Sequence, residues 1–356
     1  MSSPLKEHVD SDSNNNNASG IEKKQYISRK PKWWIQLSNR KGTKAQRQAI
    51  QRMTHCGYFI SKDALTDFCK VSNYGARQQQ QISIMILDKW KRYWWNKALG
   101  IVDRNNDDIS HPNIDINDLI SSNKHSNNEK YAQKLSDMYT YECPLPSQEY
   151  KQIWLEIGFG SGLNLLANAK QHPDTLFLGC EIHQPGVGTI LQNIEKELLN
   201  ASDTPTSTSS SPYQNIRILP GDGIKLLKHF PANYIDAILI TFPDPWPNEN
   251  EHDWRVIQSG ILKDMHSVLV SCGSRVYVAT DAECFNNWTN SIFKQESGEV
   301  GVEEDEDVGK TINTPHWKEV TPTPNRSSWL PVVSYYEQKG LDEGRKTMLQ
   351  CWEKIE

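Results

Sequence analysis

From about residue 150 onward, short runs of apolar residues recur along the chain, and the first passes directly into a segment with helical spacing of its apolar positions. Five runs have the length and the apolar, β-branched character of buried strands: residues 154–157, 175–180, 216–219, 235–242 and 274–279. Strands that alternate with helices form open parallel sheets. The pattern therefore predicts a Rossmann-like α/β domain over residues 148–356.

The remainder of the 356 residues has a different character. Residues 1–25 include a run of four asparagines and are predicted to form a disordered tail. Residues 26–147 are predicted to form a helical, partly disordered N-terminal extension that is rich in basic and aromatic residues. Low-complexity insertions are predicted near residues 201–212, which are rich in Ser and Thr, and near residues 297–310, which are acidic.

The segment after the first strand is rich in glycine. Gly158, Gly160 and Gly162 stand at alternate positions before a helix, so the backbone can turn sharply and approach a ligand. The dinucleotide fingerprint places its third glycine three residues after the second, and that spacing is missing here. Glu156 would repel a pyrophosphate but can accept a hydrogen bond from a methionine ammonium group. The loop therefore favours S-adenosylmethionine, although a structural turn in an unrelated α/β protein is the alternative.

Acidic residues end the next two predicted strands. Glu181 follows the glycine loop by about twenty residues, the distance at which an acid reaches ribose hydroxyls. Asp222, followed by Gly223, lies where an adenine amine would be bound. Each acid alone is typical of a solvated loop, but open α/β sheets bind ligands at the carboxyl ends of their strands. We therefore expect Glu156, Glu181 and Asp222 to share one cofactor site.

The fourth predicted strand runs into Pro243-Asp244-Pro245-Trp246. The two prolines fix their own φ angles and remove two backbone donors, so the Asp244 carboxylate is expected to be held rigidly. A turn with a half-buried tryptophan is the simpler alternative. The fifth predicted strand delivers Asp281 to the same edge of the sheet. Both carboxylates are candidates for the catalytic site.

Composition limits the nucleic-acid interpretation without excluding it. The net charge is −5 and the pI is near 6.1, so any RNA contact needs a local basic patch. Residues 23–47 and 89–97 are such patches, and the second interleaves lysine and arginine with tryptophan and tyrosine. The alternative for residues 82–97 is an amphipathic helix that buries its tryptophans against the sheet domain.

Seven scattered cysteines without a C-x-x-C pair indicate reduced thiols and predict no metal site. The sequence contains neither an apolar run of membrane-spanning length nor a leader-like start. The predicted location is the cytoplasm, with the nucleus or an organelle open, and no membrane association is expected.

These motifs resemble those of the tRNA (guanine-N7)-methyltransferases. The resemblance covers roughly residues 40–55 and 150–352, and it is carried by residues 40–46, 156–162, 179–188, 242–246, 279–281 and 334–340, followed by Gly344. Residues 183–188 are more similar to the bacterial branch, whose members act without a partner, than to the eukaryotic branch, which pairs with a β-propeller protein. The resemblance implies a class I S-adenosylmethionine-dependent methyltransferase fold and a tRNA substrate, with no obligatory protein partner.

The resemblance also implies roles for individual residues. Asp244 would be the catalytic carboxylate. The cofactor would be held by Glu156, Gly158, Gly160, Glu181, Asp222 and Gly223. The target guanine would be contacted by Asp281, Ser334, Tyr335, Tyr336 and Glu337. Ser334 stands where the family usually has Thr, which is a mild departure because the hydroxyl is retained.

The segment after Trp246 departs further from the family pattern. The family continues with a dense basic run that grips the tRNA, whereas this chain is acidic at residues 249–253 and lacks the lysine expected at Asn248. Of the basic run, only His252 and Arg255 are present. Two alternatives therefore stay open: a degenerate methyltransferase fold that acts as an RNA-binding or scaffold protein, and a methyltransferase of another substrate.

Overall fold

A seven-stranded mixed sheet forms the centre of the protein. The computed structural model describes residues 41–77, 84–102, 143–202, 212–270, 273–297 and 316–355. The strands are β1 Gln152–Ile157, β2 Thr175–Glu181, β3 Ile216–Pro220, β4 Ala237–Thr241, β5 Arg275–Thr280, β6 Trp317–Glu319 and β7 Met348–Lys354. The predicted tail at residues 1–25, much of the predicted N-terminal extension and most of the two predicted insertions lie outside the described residues.

The strands follow the order β3-β2-β1-β4-β5-β7-β6. The pairs among β1 to β5 are parallel, and β7 is antiparallel to both β5 and β6. The five strands that the apolar runs predict are therefore confirmed. The two further strands, β6 and β7, complete the sheet on the side of β5, and the apolar pattern did not predict them.

Helices cover both faces of the sheet. Nine α-helices are described: α1 Lys44–Met53, α2 Lys62–Arg77, α3 Ile84–Leu99, α4 Leu163–Gln171, α5 Gln184–Ser202, α6 Gly223–Leu227, α7 Ser259–Val268, α8 Glu283–Glu296 and α9 Tyr335–Asp342. Alternate residues of a strand point to opposite faces. Leu176 and Leu178 of β2 accordingly pack in one core with α7 and α8, while Phe177 packs in another core with α1, α4 and α5.

The N-terminal extension packs directly on the sheet. Tyr58 and Ile60 exchange backbone hydrogen bonds with Ile218 of β3: the Ile218 N–H donates to the Tyr58 carbonyl at 2.7 Å, and the Ile60 N–H donates to the Ile218 carbonyl at 3.0 Å. An exposed sheet edge offers unpaired backbone groups to other chains. This short bridge occupies part of the β3 edge.

The aromatic residues of α3 form part of the core. Trp90, Trp94 and Trp95 are each less than 5% exposed, and the Trp94 ring stacks on Phe68 of α2 with a centroid distance of 3.9 Å. Of the two interpretations offered by the sequence, the amphipathic helix is therefore the one found. These three rings are not accessible for stacking on nucleic-acid bases.

Two cations of α3 bind backbone carbonyls of the sheet domain. Lys91 Nζ donates to the Lys228 carbonyl at 2.8 Å, and Arg92 Nη2 donates to the Ala232 carbonyl at 2.7 Å. Lys89 on the same helix is exposed. The contacts of Lys91 and Arg92 dock the helix instead of presenting both charges to a partner. Over the described residues, none of the helices has the length and apolar character required to cross a membrane.

Candidate active site

The glycine loop between β1 and α4 opens toward a cavity. Gly158 and Gly160 have φ angles of 78° and 58°, in the left-handed region that L side chains rarely adopt. A Cβ at either position would point into open space, so the missing side chains leave room for a ligand. Gly186, at the start of α5, packs so closely on the Gly160 carbonyl that a side chain there would clash.

Glu181 holds the glycine loop from the end of β2. Its Oε2 accepts a hydrogen bond from the Gly160 N–H at 2.8 Å, and its Oε1 accepts one from the His183 N–H at 2.7 Å. The side chain is largely buried, and this burial raises the pKa of the Glu181 carboxyl against the opposing effect of the backbone donors. Each carboxylate oxygen keeps a second lone pair that can accept from a ligand hydroxyl.

Glu156 lies on β1 directly behind the loop and is 2% exposed. Thr241 Oγ1 donates to its Oε1 at 3.2 Å, whereas Oε2 has no hydrogen-bond partner among the described residues. Burial raises the pKa of this carboxyl to about 7, against the lowering effects of Asn164 and Thr241. An unsatisfied buried carboxylate oxygen is costly unless a donor or cation reaches it.

Asp222 caps helix α6, and the predicted adenine contact has no direct support from its position. Its Oδ1 accepts from the backbone N–H groups of Ile224 and Lys225, at 3.2 and 3.4 Å, and its Oδ2 pairs with the Lys225 ammonium. Gly223 is buried between Cys180 and Ile157. Neither Asp222 nor Gly223 lines the two cavities described below.

The segment Pro243-Asp244-Pro245 leaves the end of β4 between two strained residues. Phe242 and Trp246 have φ angles of 49° and 45°, a conformation that costs about 1–3 kcal/mol for a residue other than glycine. The Trp246 side chain is buried and its ring contacts Trp254. The Asp244 side chain is exposed to the cleft. The backbone strain is therefore concentrated on both sides of the predicted catalytic carboxylate.

Asp281 lies at the end of β5, next to α9. Arg345 Nε donates to its Oδ2 at 2.8 Å, and a side chain at Gly340 of α9 would clash with the same oxygen. The glycine therefore allows α9 to approach Asp281. A second cation, Lys339 of α9, lines the same cavity as Asp281 and Arg345.

The residues predicted to contact guanine from α9 separate into two groups. Ser334 caps the helix by accepting from the Glu337 N–H at 3.2 Å. Glu337 is 3% exposed, and its oxygens accept from Arg326 at 2.6 Å and from Thr347 at 2.8 Å, so its contacts are those of a buried structural carboxylate. Tyr335 and Tyr336 are 71% and 62% exposed and face the cleft.

Two cavities meet at Asp244. The first, called the glycine-loop cavity, has a volume of about 510 Å³ and is lined by the glycine loop, the start of α5 and residues 334–336. The second, called the aspartate cavity, has a volume of about 570 Å³ and is lined by residues 243–246, Asp281, Lys339 and Arg345. The residues that line both cavities are Gly158, Glu181, Ile182, Thr241, Phe242, Asp244 and Tyr336.

Tyr336 lies at this junction, close to two negatively charged side chains. Partial burial raises the pKa of its phenol, and the negative charges of Asp244 and Glu181 raise it further. Asp244, the predicted catalytic carboxylate, and Glu181, the predicted ribose-binding carboxylate, therefore both raise the pKa of Tyr336. A ligand in the glycine-loop cavity and an acceptor in the aspartate cavity would meet here.

Lys339 and Arg345 are functional candidates that escaped the sequence analysis, which identified Arg255 only as part of the family's basic run. Lys339 and Arg345 line the aspartate cavity, and Arg255 is buried beneath residues 245 and 246. Lys339 belongs to a segment quoted for the family resemblance, and Arg345 directly follows Gly344, which is the only signal that could have drawn attention to them. In the described part of the chain, no three His, Cys, Asp or Glu side chains are arranged to hold a metal ion.

Comparison with known proteins agrees with this geometry. A family model described as "Putative methyltransferase" matches residues 150–348, more than half of the chain. Relatives with the name tRNA (guanine-N(7)-)-methyltransferase include proteins from Wolbachia pipientis wMel, 33% identical over 44% of this chain and 63% of its own length, and from Jannaschia sp. (strain CCS1), 30% identical over 55% and 69%. A third, from Methylobacillus flagellatus, is 35% identical over 40% of this chain and 54% of its own length.

The strand order, with antiparallel β7 between β5 and β6, and the glycine loop at the carboxyl edge define a class I methyltransferase fold. Among solved structures, the 16S rRNA methyltransferase KamB covers 58% of this chain and 90% of its own, with 11% identity and a TM-score of 0.37, too low to add to that assignment. With its sequence relatives, the chain belongs to the tRNA (guanine-N7)-methyltransferase family. It spans less than two thirds of the length of several of these relatives.

Proposed function

We propose that this protein transfers a methyl group from S-adenosylmethionine to N7 of a guanine in tRNA. The observation that carries the proposal is the junction of the two cavities at Asp244, with Glu181 on one side and Asp281 on the other. One cavity is suited to the cofactor and the other to a planar acceptor. The family name of the relatives supplies the acceptor.

The residues of the glycine-loop cavity fit the cofactor. The open space over Gly158 and Gly160 allows close approach of a ligand. Glu156 lies behind the loop and lines neither cavity, and its unsatisfied Oε2 would accept from a methionine ammonium group that reaches past the loop. Glu181 would hold the ribose hydroxyls. Asp222 and Gly223 remain proposed adenine contacts, with a weaker basis because Asp222 already caps α6. When bound, the cofactor supplies an electrophilic methyl group on a sulfonium.

Methylation of guanine N7 does not require the protein to act as a general base. Guanine N7 has an available lone pair, so no side chain has to remove a proton from it, and positioning can supply most of the catalysis. The methylated purine is positively charged, and Asp244 would stabilise that charge as it develops. Asp281 would accept from guanine N1–H and the 2-amino group, with Tyr335 and Tyr336 as the exposed rings beside it.

We propose that the tRNA footprint lies on α1 and the residues before it. Lys41, Lys44 and Arg47 are exposed. The helix packs on α5, where Gln46 Nε2 donates to Thr189 Oγ1 at 3.0 Å, and Thr189 lines the glycine-loop cavity. A basic surface therefore lies beside the cleft, whereas the segment at residues 249–253 is acidic. Phosphate contacts supply most non-specific affinity for nucleic acid.

The division into an N-terminal extension at residues 26–147 and a methyltransferase domain at residues 148–356 is retained as part of this proposal. We propose action in the cytoplasm and without an obligatory protein partner. The six cysteines that the structure describes are unpaired, in keeping with reduced thiols. A propeller-type protein partner is the alternative.

Methyl transfer to total tRNA tests the proposal. The protein is incubated with methyl-labelled cofactor and total tRNA, and the nucleosides are then separated. Labelled 7-methylguanosine is expected from the wild type and from Lys151→Gln, a control that removes only the exposed ion pair with Asp174. Label in another nucleoside would favour a different substrate atom. Bound tRNA without transfer would favour a scaffold, and label found only on protein or small molecules would favour another substrate class.

A further inference from the structure

Arg255 is a buried arginine directly beneath the Asp244 segment. It is 3% exposed, and its guanidinium donates from Nε to the Pro245 carbonyl and from Nη2 to the Trp246 carbonyl, both at 2.9 Å. Its Cζ lies 4.8 Å from the centroid of the Trp288 ring. No carboxylate among the described residues forms an ion pair with it. The guanidinium is therefore directed at two consecutive backbone carbonyls and one aromatic face.

We propose that Arg255 is a positioning residue that fixes Asp244 for methyl transfer, an inference that rests on the proposed function. The two carbonyls it binds belong to the two residues after Asp244, and one of them, Trp246, has the left-handed backbone. A planar guanidinium presents donors in a rigid fork, so one side chain can fix two adjacent peptide groups. Lysine offers a point charge without that geometry.

The contacts of Arg255 separate this role from the tRNA contact that the family resemblance suggests for the segment. A phosphate ligand must be reached from solvent, whereas this guanidinium is enclosed and its donors point at backbone carbonyls. Of the family's basic run after Trp246, only His252 and Arg255 are present in this chain. The contacts of Arg255 with the Pro245 and Trp246 carbonyls give this residue a structural role that does not require RNA.

Arg255 is held by contacts with the segment around His252 and with Trp288. Its backbone N–H donates to the His252 carbonyl, and Gln258 Nε2 donates to the same carbonyl at 2.6 Å. Trp288 of α8 is held by its own hydrogen bond, from Nε1 to the Ile257 carbonyl at 2.8 Å. The loop that carries Asp244 is thereby connected through Arg255 to α8. Preorganised groups of this kind keep a catalytic charge in place without reorganisation during the reaction.

Arg255→Lys tests the inference by the division of its effect between kcat and KM. A positioning role predicts that kcat falls at least tenfold, while the KM for tRNA, its salt dependence and the cofactor Kd stay within about twofold of wild type. If Arg255 instead bound a tRNA phosphate, Arg255→Lys would keep the charge and leave kcat near wild type, whereas Arg255→Gln would raise the KM for tRNA and reduce the salt slope. Arg275→Lys, at the opposite end of β5 from Asp281 and paired with Glu353, is the matched control and should change neither constant.

A double-mutant cycle with Asp244→Asn tests whether Arg255 acts through Asp244. If it does, adding Arg255→Lys to Asp244→Asn should lower kcat by less than twofold, because the carboxylate being positioned is already gone. A full tenfold loss in both backgrounds would overturn the inference. Should Arg255→Lys fail to fold, Trp288→Phe replaces it: this change removes the indole hydrogen bond and should lower kcat about threefold, again only when Asp244 is present.

The controls keep this inference distinct from the proposed function. A wild type that methylates no tRNA would remove the proposed function before any variant is compared. An active wild type whose Arg255→Lys variant keeps full kcat would overturn the positioning role alone. Thermal melting of each variant shows whether a reduced rate reflects unfolding. The melting temperatures of the wild type and of Arg275→Lys are the reference values.

Discussion

The two cavities of the cleft are built in different ways. The glycine-loop cavity is built around the glycine loop and the start of α5. The acids at and behind that loop, Glu181 and Glu156, are buried, with raised pKa values and backbone or hydroxyl donors around them. The aspartate cavity is lined by the ends of β4 and β5 and by α9, and its acids Asp244 and Asp281 face the cleft beside two cations. Buried acids suit a small ligand held in one orientation, whereas acids facing the cleft suit a large acceptor that enters and leaves.

The contrast predicts that variants in the two cavities fail differently. Changes in the glycine-loop cavity should weaken cofactor binding, and changes in the aspartate cavity should lower the rate or the affinity for the acceptor. Glu181 and Asp244 are the two acids that line both cavities, so they are the acids at which this separation can be broken.

The largest effect is expected for Asp244→Asn. If the carboxylate stabilises developing charge, the single-turnover rate should fall about a hundredfold to a thousandfold, with cofactor binding near wild type. If Asp244 only forms the turn, asparagine should serve nearly as well, because it adopts the same turn conformations. Single-turnover methylation alongside calorimetry and thermal melting distinguishes the two. Full activity of the variant would remove Asp244 from the mechanism.

Glu156 should make cofactor affinity depend on pH. Its pKa of about 7 in the cofactor-free protein means that the carboxylate is charged above that pH and protonated below it. Affinity for the cationic methionine group should rise as the pH rises through 7. Glu156→Gln should bind the cofactor roughly tenfold more weakly at pH 8, with little pH dependence, because a charged hydrogen bond is removed. Calorimetry between pH 5.5 and 8.5 measures both proteins.

The same carboxyl should affect the stability of the cofactor-free protein. Because folding raises its pKa, its contribution is fully present near pH 4 and is lost as the pH rises to about 7. The loss is at most roughly 3 kcal/mol and should be absent in Glu156→Gln. Identical pH profiles of melting for the two proteins would contradict the assignment of the titration to Glu156.

The smallest effect is expected outside the cleft. Replacing Lys44 and Arg47 with glutamine should weaken tRNA binding several-fold and reduce the salt slope by about one for each phosphate that the protein no longer neutralises. Lys151→Gln is the control, because Lys151 is exposed just before β1, at the opposite edge of the sheet from the cleft. An unchanged slope for the double variant would place the RNA footprint elsewhere.

The two cavities also differ in how far the sequence predicted them. The glycine loop and Glu181 were predictable because strand, turn and helix are consecutive, so local rules fix their geometry. Glu337 and Asp222 are acids in the expected segments, yet their oxygens are used by Arg326 and Thr347 and by the start of α6. A carboxylate's position along the chain does not show which donor is nearest in three dimensions.

The tryptophans of α3 and the arginine beneath Asp244 show the same limit. A dense series of aromatic and basic residues is compatible with both a stacking surface and a buried face, and only the packing of Phe68 against Trp94 decides between them. Arg255 stands in a segment whose family pattern indicates RNA contact, while its burial depends on Trp288, more than thirty residues away. Long-range packing of this kind leaves no pattern in neighbouring residues.

The central claim, that guanine N7 is the acceptor atom at the junction of the cavities, is tested most directly by removing that atom. tRNA transcripts are prepared with 7-deazaguanosine in place of guanosine, which leaves the N1 and 2-amino donors intact for Asp281. If N7 is the acceptor atom, these transcripts should compete with normal tRNA for binding but accept no methyl label under conditions in which the guanosine transcripts are fully methylated. Label transferred to the 7-deazaguanosine transcripts at the normal rate would contradict it.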